Sequence, residues 1–186
     1  MFRRDAPPTT DLPPRPTRSP LGFDLTAPDD AERRRLEADL SPEERRVLLQ
    51  HGTEAPFCGG LLGNKEYGVY CCRECGLPLF QAKTKFDSGT GWPSFFAPFD
   101  ESHVLAITDR SYGMVRVETR CSRCDSHQGH VFPDGPAPTR LRYCINSVSL
   151  EFVADGQPFR DPLGRGDNDA GRSNQDVATT EGLPLG

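Results

Sequence analysis

The chain of 186 residues carries a net charge of -5 at pH 7, and 35% of its residues are hydrophobic, which fits one domain with a core and is too short for two of ordinary size. The acidic balance argues against binding nucleic acid or an anionic membrane surface, because both require clustered lysine and arginine. No run of about 18 apolar residues occurs, so the sequence predicts no membrane span.

The first 40 residues are rich in proline, arginine and aspartate and show no sustained apolar periodicity. Arg3 and Arg4 are followed by no apolar segment, so this start does not have the pattern of a secretory signal, and its prolines and acidic residues do not suit a transit peptide. We therefore predict a disordered extension over residues 1–40 and a cytoplasmic location. The stretch "AERRRLEADL" is open to two interpretations, a short polar helix or unstructured chain.

The stretch "SPEERRVLLQHG" has the start and stop signals of a short N-terminal helix. Ser41 suits the N-cap, Pro42 the first helical position, and Glu44 the third position of a capping box. Gly52 follows the predicted end. The folded domain is therefore predicted to begin at Ser41.

After residue 59, glycine, proline, aspartate and serine separate short apolar runs, which include "YGVYCC", "LPLF", "VLAI", "GMVRVE", "GHVF" and "LRYCINSVSLEFV". This spacing predicts a mainly β domain over residues 41–155. Residues 156–186 are polar and rich in glycine, so we predict a disordered C-terminal tail there.

Four of the seven cysteines form two C-x-x-C pairs, Cys72 with Cys75 and Cys121 with Cys124. Two such turns brought together provide four thiolates in a tetrahedral array, as a structural zinc site requires. A closed set of four sulfur ligands leaves no position for substrate, so zinc would join distant strands and catalysis would lie elsewhere. Unrelated cysteine turns or redox C-x-x-C motifs are the alternatives. The odd cysteine count fits a reducing compartment.

The stretch "RLRYCINSVSLEF" alternates as a β-strand does, which places Arg142, Cys144 and Asn146 on one face. A cation beside a thiol stabilises the thiolate, so Cys144 is the best candidate for a reactive cysteine. The apolar pattern changes face after Asn146. This change indicates a strand whose first half carries chemistry and whose second half enters the core, or a bulge.

Two further segments carry candidate site residues. "CDSHQGHVFPDG" places His127 and His130 after the second cysteine pair, where either could serve as a positioned acid, although a structural histidine is the commoner case. "FDSGTGWPSFF" holds Trp92, the only tryptophan, in a loop fixed by glycine and proline. Trp92 is either a core anchor or an apolar wall for a small ligand.

The motifs "KFDSGTGWPSF", "GHVFPDGP" and "LRYCINS", in this order and with the paired C-x-x-C motifs, closely resemble the methionine-R-sulfoxide reductases of the B type over residues 41–153. The resemblance implies two antiparallel sheets stapled by structural zinc, and reduction of the R epimer of methionine sulfoxide, free or in proteins. It implies that Cys144 is the nucleophile, that Trp92 and Phe132 face the substrate methyl group, and that the polar side of the pocket is formed by His127, His130, Arg142 and Asn146.

The resemblance is incomplete at one functional position. Many family members have a cysteine where this chain has Thr90, and that cysteine resolves the sulfenic acid into a disulfide that thioredoxin reduces. Cys58 in "PFCGG" is the preferred internal substitute because two glycines follow it, and Cys71 is the second candidate. Direct reduction by an external thiol, such as thioredoxin or glutathione, is the alternative. A disulfide requires Cα atoms within about 7 Å, which sequence does not give.

We expect the reductase to be a monomer. Two other functions are alternatives to the reductase. A zinc-stapled binding module would explain the four paired cysteines but not "RYCINS". A cysteine hydrolase would use Cys144, a histidine and Asn146, but Asn146 follows the thiol by only two residues, which makes it difficult for it to orient the histidine.

Overall fold

In the computed structural model, which describes residues 15–110 and 113–167, two short helices precede nine strands. The helices are α1 (Asp30–Ala38) and α2 (Pro42–Leu48). The strands are β1 (Gly68–Cys72), β2 (Pro78–Gln81), β3 (Lys85–Phe86), β4 (Ser94–Phe95), β5 (Val104–Asp109), β6 (Arg116–Cys121), β7 (His127–Phe132), β8 (Arg142–Ile145) and β9 (Leu150–Ala154). None of the described helices is both long and apolar enough to cross a bilayer.

The strands form two antiparallel sheets, as the family resemblance implied. A three-stranded sheet has the order β2-β1-β9, and a six-stranded sheet has the order β3-β4-β8-β7-β6-β5. The strand predicted from "LRYCINSVSLEF" is divided between the two sheets, since β8 lies in the larger sheet and β9 in the smaller one. The short 3-10 helix Ser147–Ser149 joins them. The change of face after Asn146 therefore marks the connection between two strands of different sheets, and not one strand that enters the core.

Aromatic side chains fill the space between the sheets. Tyr70 and Phe80 are paired across β1 and β2, and Phe95 and Tyr143 are paired across β4 and β8. The Phe80 and Phe95 rings stack with centroids 4.5 Å apart, and Tyr70 meets Phe95 edge-on at 5.0 Å. Such pairs add roughly 0.5–1.5 kcal/mol each beyond the burial of their area. This aromatic layer fixes the backbone of β8 from its inner face.

The start of α2 follows the sequence signal. Ser41 is the N-cap, and its hydroxyl accepts the Glu44 amide at 3.2 Å while the Glu44 carboxylate accepts the Ser41 amide at 2.7 Å. Val47 and Leu48 are buried. The predicted short N-terminal helix is therefore confirmed, although the helix ends at Leu48, before Gly52.

The prediction of disorder over residues 1–40 is wrong for the described part, residues 15–40. Phe23, Leu25 and Leu36 are buried in the core, and α1 has a complete capping box that starts at Asp29. Leu21, Phe23 and Leu25 alternate over only five residues, and Leu36 is isolated among polar neighbours, so neither stretch forms the sustained pattern that the sequence prediction relied on.

The predicted disordered tail is also ordered at its beginning. Phe159 packs in the core, and Asp167 forms an ion pair with Arg123 at 2.7 Å in which both side chains are 0% exposed. Arg123 also donates to the Asp24 carbonyl at 2.7 Å, so both terminal segments meet at one buried guanidinium. Residues 1–14 and 168–186 lie outside the described residues, and their predicted disorder remains a prediction.

Candidate active site

The four paired cysteines form one buried cluster that links the two sheets. Cys72 and Cys75 come from the end of β1 and the turn after it, and Cys121 and Cys124 from the end of β6 and its turn. The four sulfur atoms lie within 4.8 Å of one another, and the Cys72–Cys124 and Cys75–Cys121 sulfur distances are both 3.6 Å. This cluster can hold a metal ion.

The donor set and its spacing fit zinc. Tetrahedral coordination with Zn–S bonds of about 2.3 Å requires neighbouring sulfurs roughly 3.8 Å apart, close to the spacing observed. The Ser126 hydroxyl lies 3.4 Å from the Cys72 sulfur, and the Gln128 amide donates to the same sulfur at 3.7 Å. Donors of this kind stabilise thiolate ligands. The cluster is closed, so it offers no place for a substrate.

A row of directly opposed residues crosses the larger sheet on the face away from the aromatic layer. Cys144 on β8 lies opposite His130 on β7 and opposite Ser94 on β4, and His130 lies opposite Glu118 on β6. Directly opposed residues in antiparallel strands share a face. The sheet therefore places a half-buried thiol beside an imidazole, although Cys144 and His130 are far apart in the sequence.

A glycine keeps β7 and β8 in this register. A Cβ atom at Gly129 would lie only 2.0 Å from the carbonyl oxygen of Cys144 and 3.0 Å from the Cα atom of Ile145. No side chain can be accommodated at that distance from backbone atoms. The glycine of "GHVF" thus permits the close approach of β7 to the cysteine backbone.

Position 90 lies directly beside the thiol. The Thr90 hydroxyl is 3.7 Å from the Cys144 sulfur and 2.8 Å from the Ser88 hydroxyl, which contacts the Ser94 hydroxyl at 2.7 Å. A short line of hydroxyl groups therefore borders Cys144. A side chain at position 90 is therefore within contact distance of the Cys144 sulfur.

Arg142 is held on the same strand face by two partners. Its guanidinium forms two hydrogen bonds with the Asp134 carboxylate, at 2.9 and 2.8 Å, and stacks over the Phe132 ring at 4.5 Å. Hydrogen bonding to Asp134 raises the pKa of Arg142, and Cys144 contributes to the same shift. A fixed cation therefore lies within electrostatic reach of the thiol.

His130 has a carboxylate partner that sequence analysis did not identify. Its Nε2 atom lies 2.9 Å from an Asp109 carboxylate oxygen, which also accepts Arg116 at 2.6 Å. Burial lowers the pKa of His130, and the hydrogen bond to Asp109 opposes that shift only in part. Neutral imidazole is thus favoured over imidazolium, and Asp109 moderates this preference.

His127 is more deeply buried than His130 and belongs to a second charged group. Its Nδ1 atom lies 2.6 Å from a Glu118 oxygen that is also 2.7 Å from His51 Nδ1, and the other Glu118 oxygen accepts Arg120 at 2.8 Å. Burial alone would raise the pKa of Glu118, but these three hydrogen bonds outweigh it and hold that pKa well below its usual range. Glu118 is therefore ionised, and both imidazoles donate to it from Nδ1.

Trp92 is half-buried, and its indole N–H donates to the carbonyl of Glu54 at 3.2 Å. It lies between Thr90 and Ser94, which both adjoin Cys144. Trp92 and Phe57 also line a cavity of about 530 Å³ on the side of this loop that includes Leu62, Tyr70 and Phe86. The loop that borders Cys144 therefore also lines this cavity, through Trp92 and Ser88.

Asn146 directly follows β8 with an extended backbone, and its place beside Arg142 and Cys144 remains a prediction. Strand β8 ends at Ile145, and the Asn146 side chain is buried. Its amide donates to the Gln128 carbonyl at 3.0 Å and accepts the Glu54 amide at 3.1 Å. Asn146 therefore joins the segments around the site by backbone hydrogen bonds.

The two candidate resolving thiols lie in very different places. Cys58 is exposed, and the Phe57 amide before it donates to the Gly91 carbonyl at 2.8 Å, next to Trp92. Cys71 is buried in the middle of β1, where burial raises the pKa of its thiol well above the usual value. The structure thus places the Cys58 segment, and not Cys71, against the loop that borders Cys144.

Several site residues were missed because their signal is not local. Contacts formed in the fold bring four acidic residues to a histidine, arginine or tryptophan: Asp109 and Glu118 on strands, and Glu54 and Asp134 in loops. The proline and glycine that flank Asp134 in "FPDGP" were the one available hint, since they mark a turn beside the site strand.

Comparisons with known proteins cover both cysteine groups. A family model described as the SelR domain matches residues 40–154. The peptide methionine sulfoxide reductase MsrB of Caulobacter vibrioides (strain NA1000 / CB15N) is 75% identical over 151 residues, which cover 81% of this chain and 95% of that protein. The protein of the same name from Xylella fastidiosa (strain 9a5c) is 57% identical over 153 residues, or 82% and 99% of the two chains. That from Pseudomonas putida (strain GB-1) is 57% identical over 113 residues, or 61% and 86%.

Proposed function

Because the chain belongs to the MsrB family of peptide methionine sulfoxide reductases, oxidoreductases that reduce methionine-R-sulfoxide, we propose that Cys144 is the nucleophile of this reaction. The observation that carries the proposal is the row that sets the Cys144 thiol opposite His130 and next to Arg142. Cys144 is also only half-buried, whereas the four clustered cysteines and Cys71 are fully buried. A substrate can therefore reach it.

In the proposed reaction, the Cys144 thiolate attacks the sulfur of the sulfoxide, and a proton is delivered to the sulfoxide oxygen. The attack forms a bond between the Cys144 sulfur and the methionine sulfur. Transfer of the hydroxyl group to Cys144 then breaks this bond and the S–O bond to methionine, and forms an S–O bond to Cys144. Methionine leaves with its sulfur reduced by two electrons, and Cys144 becomes a sulfenic acid, oxidised by two electrons. One thiol, one sulfoxide and no external oxidant balance this step.

His130 is the favoured proton donor because it is directly opposite Cys144, whereas His127 is paired with Arg120 on β6 and not with β8. Asp109 supports the protonated form of His130, which the reaction consumes. His127 remains the alternative donor and otherwise supports the polar side of the pocket. Arg142 stabilises the anion that forms on Cys144, and Phe132, stacked on Arg142, joins Trp92 as an apolar wall for the substrate methyl group.

The four-cysteine cluster is proposed to hold zinc, with Cys72, Cys75, Cys121 and Cys124 as ligands. When bound, the zinc would supply only a structural cross-link, because the four sulfurs complete its coordination. The residues around it fix the ends of β1 and β6. This holds the first strand of the small sheet against the strand that carries Glu118.

Cys58 is the proposed resolving thiol, in place of the cysteine that many relatives have at position 90. It would attack the sulfenic acid, release water and form a disulfide with Cys144, which an external dithiol then reduces with two electrons and two protons. Phe57 supports the required movement, since its φ of 65° is strained for a residue other than glycine. Cys71 is a weaker candidate because its thiol is buried with a raised pKa.

The remaining assignments follow from the family and the sequence. The proposed reductant is thioredoxin or another thiol, and the proposed substrates are oxidised proteins or free methionine-R-sulfoxide. We further propose a cytoplasmic monomer that repairs oxidised proteins in the oxidative stress response. Neither a binding module nor a cysteine hydrolase has a specific contact in its favour, since Asn146 does not orient either His127 or His130.

The test is turnover of the separate R and S epimers of methionine sulfoxide, with dithiothreitol and with thioredoxin plus its reductase. R-only turnover by the wild-type protein, loss of thioredoxin support in Cys58→Ser and retention of dithiothreitol support would agree with the proposal. A Cys58→Ser protein with full thioredoxin support would remove Cys58 from the mechanism. Equal turnover of both epimers would contradict the proposed pocket.

A further inference from the structure

Glu54 is a buried acidic residue that has no part in the proposed chemistry. Its side chain lies against the chain segment that follows Cys144, and it is only 3% exposed. One carboxyl oxygen accepts the backbone N–H of Ser147 at 2.5 Å, and the other accepts that of Val148 at 3.1 Å. These are the first two residues of the 3-10 helix that joins the two sheets.

The contact replaces a local cap. Asn146 occupies the N-cap position of that 3-10 helix, where an asparagine side chain commonly accepts the free N–H groups of the first turn. It makes no such bond here, because its amide group is engaged with the Gln128 carbonyl and the Glu54 N–H. Glu54, which is 92 residues earlier in the sequence, therefore provides the cap.

The backbone of the same residue contacts the indole. The Glu54 carbonyl accepts the Trp92 indole N–H at 3.2 Å, while its amide and side chain bind residues 146–148. We propose that Glu54 is a positioning residue for substrate binding. It fixes Trp92 relative to Cys144, because it forms hydrogen bonds both with the indole and with the turn after Cys144. This inference rests on the proposed function, in which Trp92 contacts the sulfoxide methyl group.

The surrounding packing leaves Glu54 little freedom. A Cβ atom at Gly59 would lie 2.0 Å from the Ser147 hydroxyl and 2.9 Å from a Glu54 carboxyl oxygen, so the chain after Cys58 closes directly over this contact. A residue with a side chain at position 59 would displace it. The carboxyl group is therefore enclosed by the turn after Cys144 on one side and by the Cys58 segment on the other.

The chain offers a direct spectroscopic readout, because Trp92 is its only tryptophan. We would compare the wild type with Glu54→Ala and Glu54→Gln, and use Glu43→Ala, an exposed acidic residue on α2, as the matched control. For Glu54→Ala we expect KM for methionine-R-sulfoxide to rise by about tenfold with kcat changed less than about threefold. Its Trp92 emission should shift to the red and be quenched more strongly by acrylamide. Glu54→Gln, which keeps one acceptor oxygen, should fall between Glu54→Ala and the wild type.

A double-mutant cycle separates positioning from general stability. Phenylalanine at position 92 has no N–H for the Glu54 carbonyl, so Glu54→Ala should raise KM by less than about threefold in a Trp92→Phe background. The proposal would be overturned if the KM effects of Glu54→Ala and Trp92→Phe were additive. It would also be overturned if Glu54→Ala had the same Trp92 emission and the same KM as the wild type. If Glu54→Ala does not fold, the same comparison is made with Glu54→Gln. A wild-type protein without turnover would refute the proposed function, and the fluorescence comparison would still decide whether Glu54 holds Trp92.

Discussion

The four-cysteine cluster and the sheet face that carries Cys144 use the same side chain in opposite environments. In the cluster, four cysteines are buried against one another, and their sulfurs are 3.6 Å apart in two pairs. On the reactive face, Cys144 is alone, half-buried and surrounded by a cation, an imidazole and a hydroxyl. Because all five residues are cysteines, the environment of each thiol decides whether it suits metal binding or nucleophilic attack.

Replacement of the reactive thiol should produce the largest change in activity and little change in stability. We expect Cys144→Ser to lower turnover of methionine-R-sulfoxide by on the order of 10³-fold or more, since no sulfenic acid can form. Its thermal midpoint and metal content should match those of the wild type. A stoichiometric sulfoxide assay and a calorimetric scan provide the comparison, and ordinary turnover in this variant would remove Cys144 from the mechanism.

Replacement of a cysteine in the four-cysteine cluster should have its largest effect on stability. We expect Cys124→Ser to lose bound zinc and to lower the free energy of unfolding by about 5 kcal/mol or more, because metal binding contributes directly to folding stability. Zinc content by elemental analysis and urea unfolding with a matched Ser122→Ala control measure both effects. A variant that kept its stability without zinc would show that the cluster is not a staple.

A second cysteine placed beside Cys144 tests whether position 90 can supply the resolving thiol. Because the Thr90 hydroxyl is 3.7 Å from the Cys144 sulfur, Thr90→Cys in a Cys58→Ser background should restore thioredoxin-dependent turnover to within about tenfold of wild type. Peptide mapping after one turnover should identify a disulfide between the introduced thiol and Cys144. Continued dependence on dithiothreitol alone would indicate that position 90 cannot approach the sulfenic acid.

The smallest predicted effect concerns the proton on His130. Asp109 favours the protonated imidazole, so Asp109→Asn should lower the pKa of His130 further and reduce the fraction of protonated donor at neutral pH. The alkaline limb of kcat/KM should then move to lower pH, with a loss of about two- to tenfold at pH 7.5 and a smaller loss at pH 6. A pH profile from 5 to 9 measures this shift. An unchanged alkaline limb would argue for His127 as the donor.

The parts that could be predicted from the sequence are those with local signals. The capping box at Ser41, the four-cysteine cluster and the short strands each depend on neighbouring residues, and the structure has all three. The same holds for Arg142 beside Cys144, since two positions along one strand share a face.

The parts that could not be predicted depend on contacts between distant segments. Asp109 reaches His130 only because β5, β6 and β7 are paired in one register. Asn146 is bonded to Glu54 and Gln128, and the contact with Glu54 joins segments 92 residues apart in the sequence. Phe159 was assigned to a disordered end because a single apolar residue in a polar segment has no period, and Phe23 because the alternation around it is short and lies in a proline-rich segment.

The buried pair of Arg123 and Asp167 affects how this protein can be shortened. Among the described residues, the Arg123 guanidinium contacts the Asp24 carbonyl, the Cys75 carbonyl and the Asp167 carboxylate. The region matched by the family model, residues 40–154, omits both Asp24 and Asp167. Trimming to that region would remove the Asp167 counterion of Arg123 together with the core residues Phe23 and Phe159, so we expect it to lower the free energy of unfolding. The packed unit is therefore longer than the region that the family model matches, and any shortened version should keep residues 15–167.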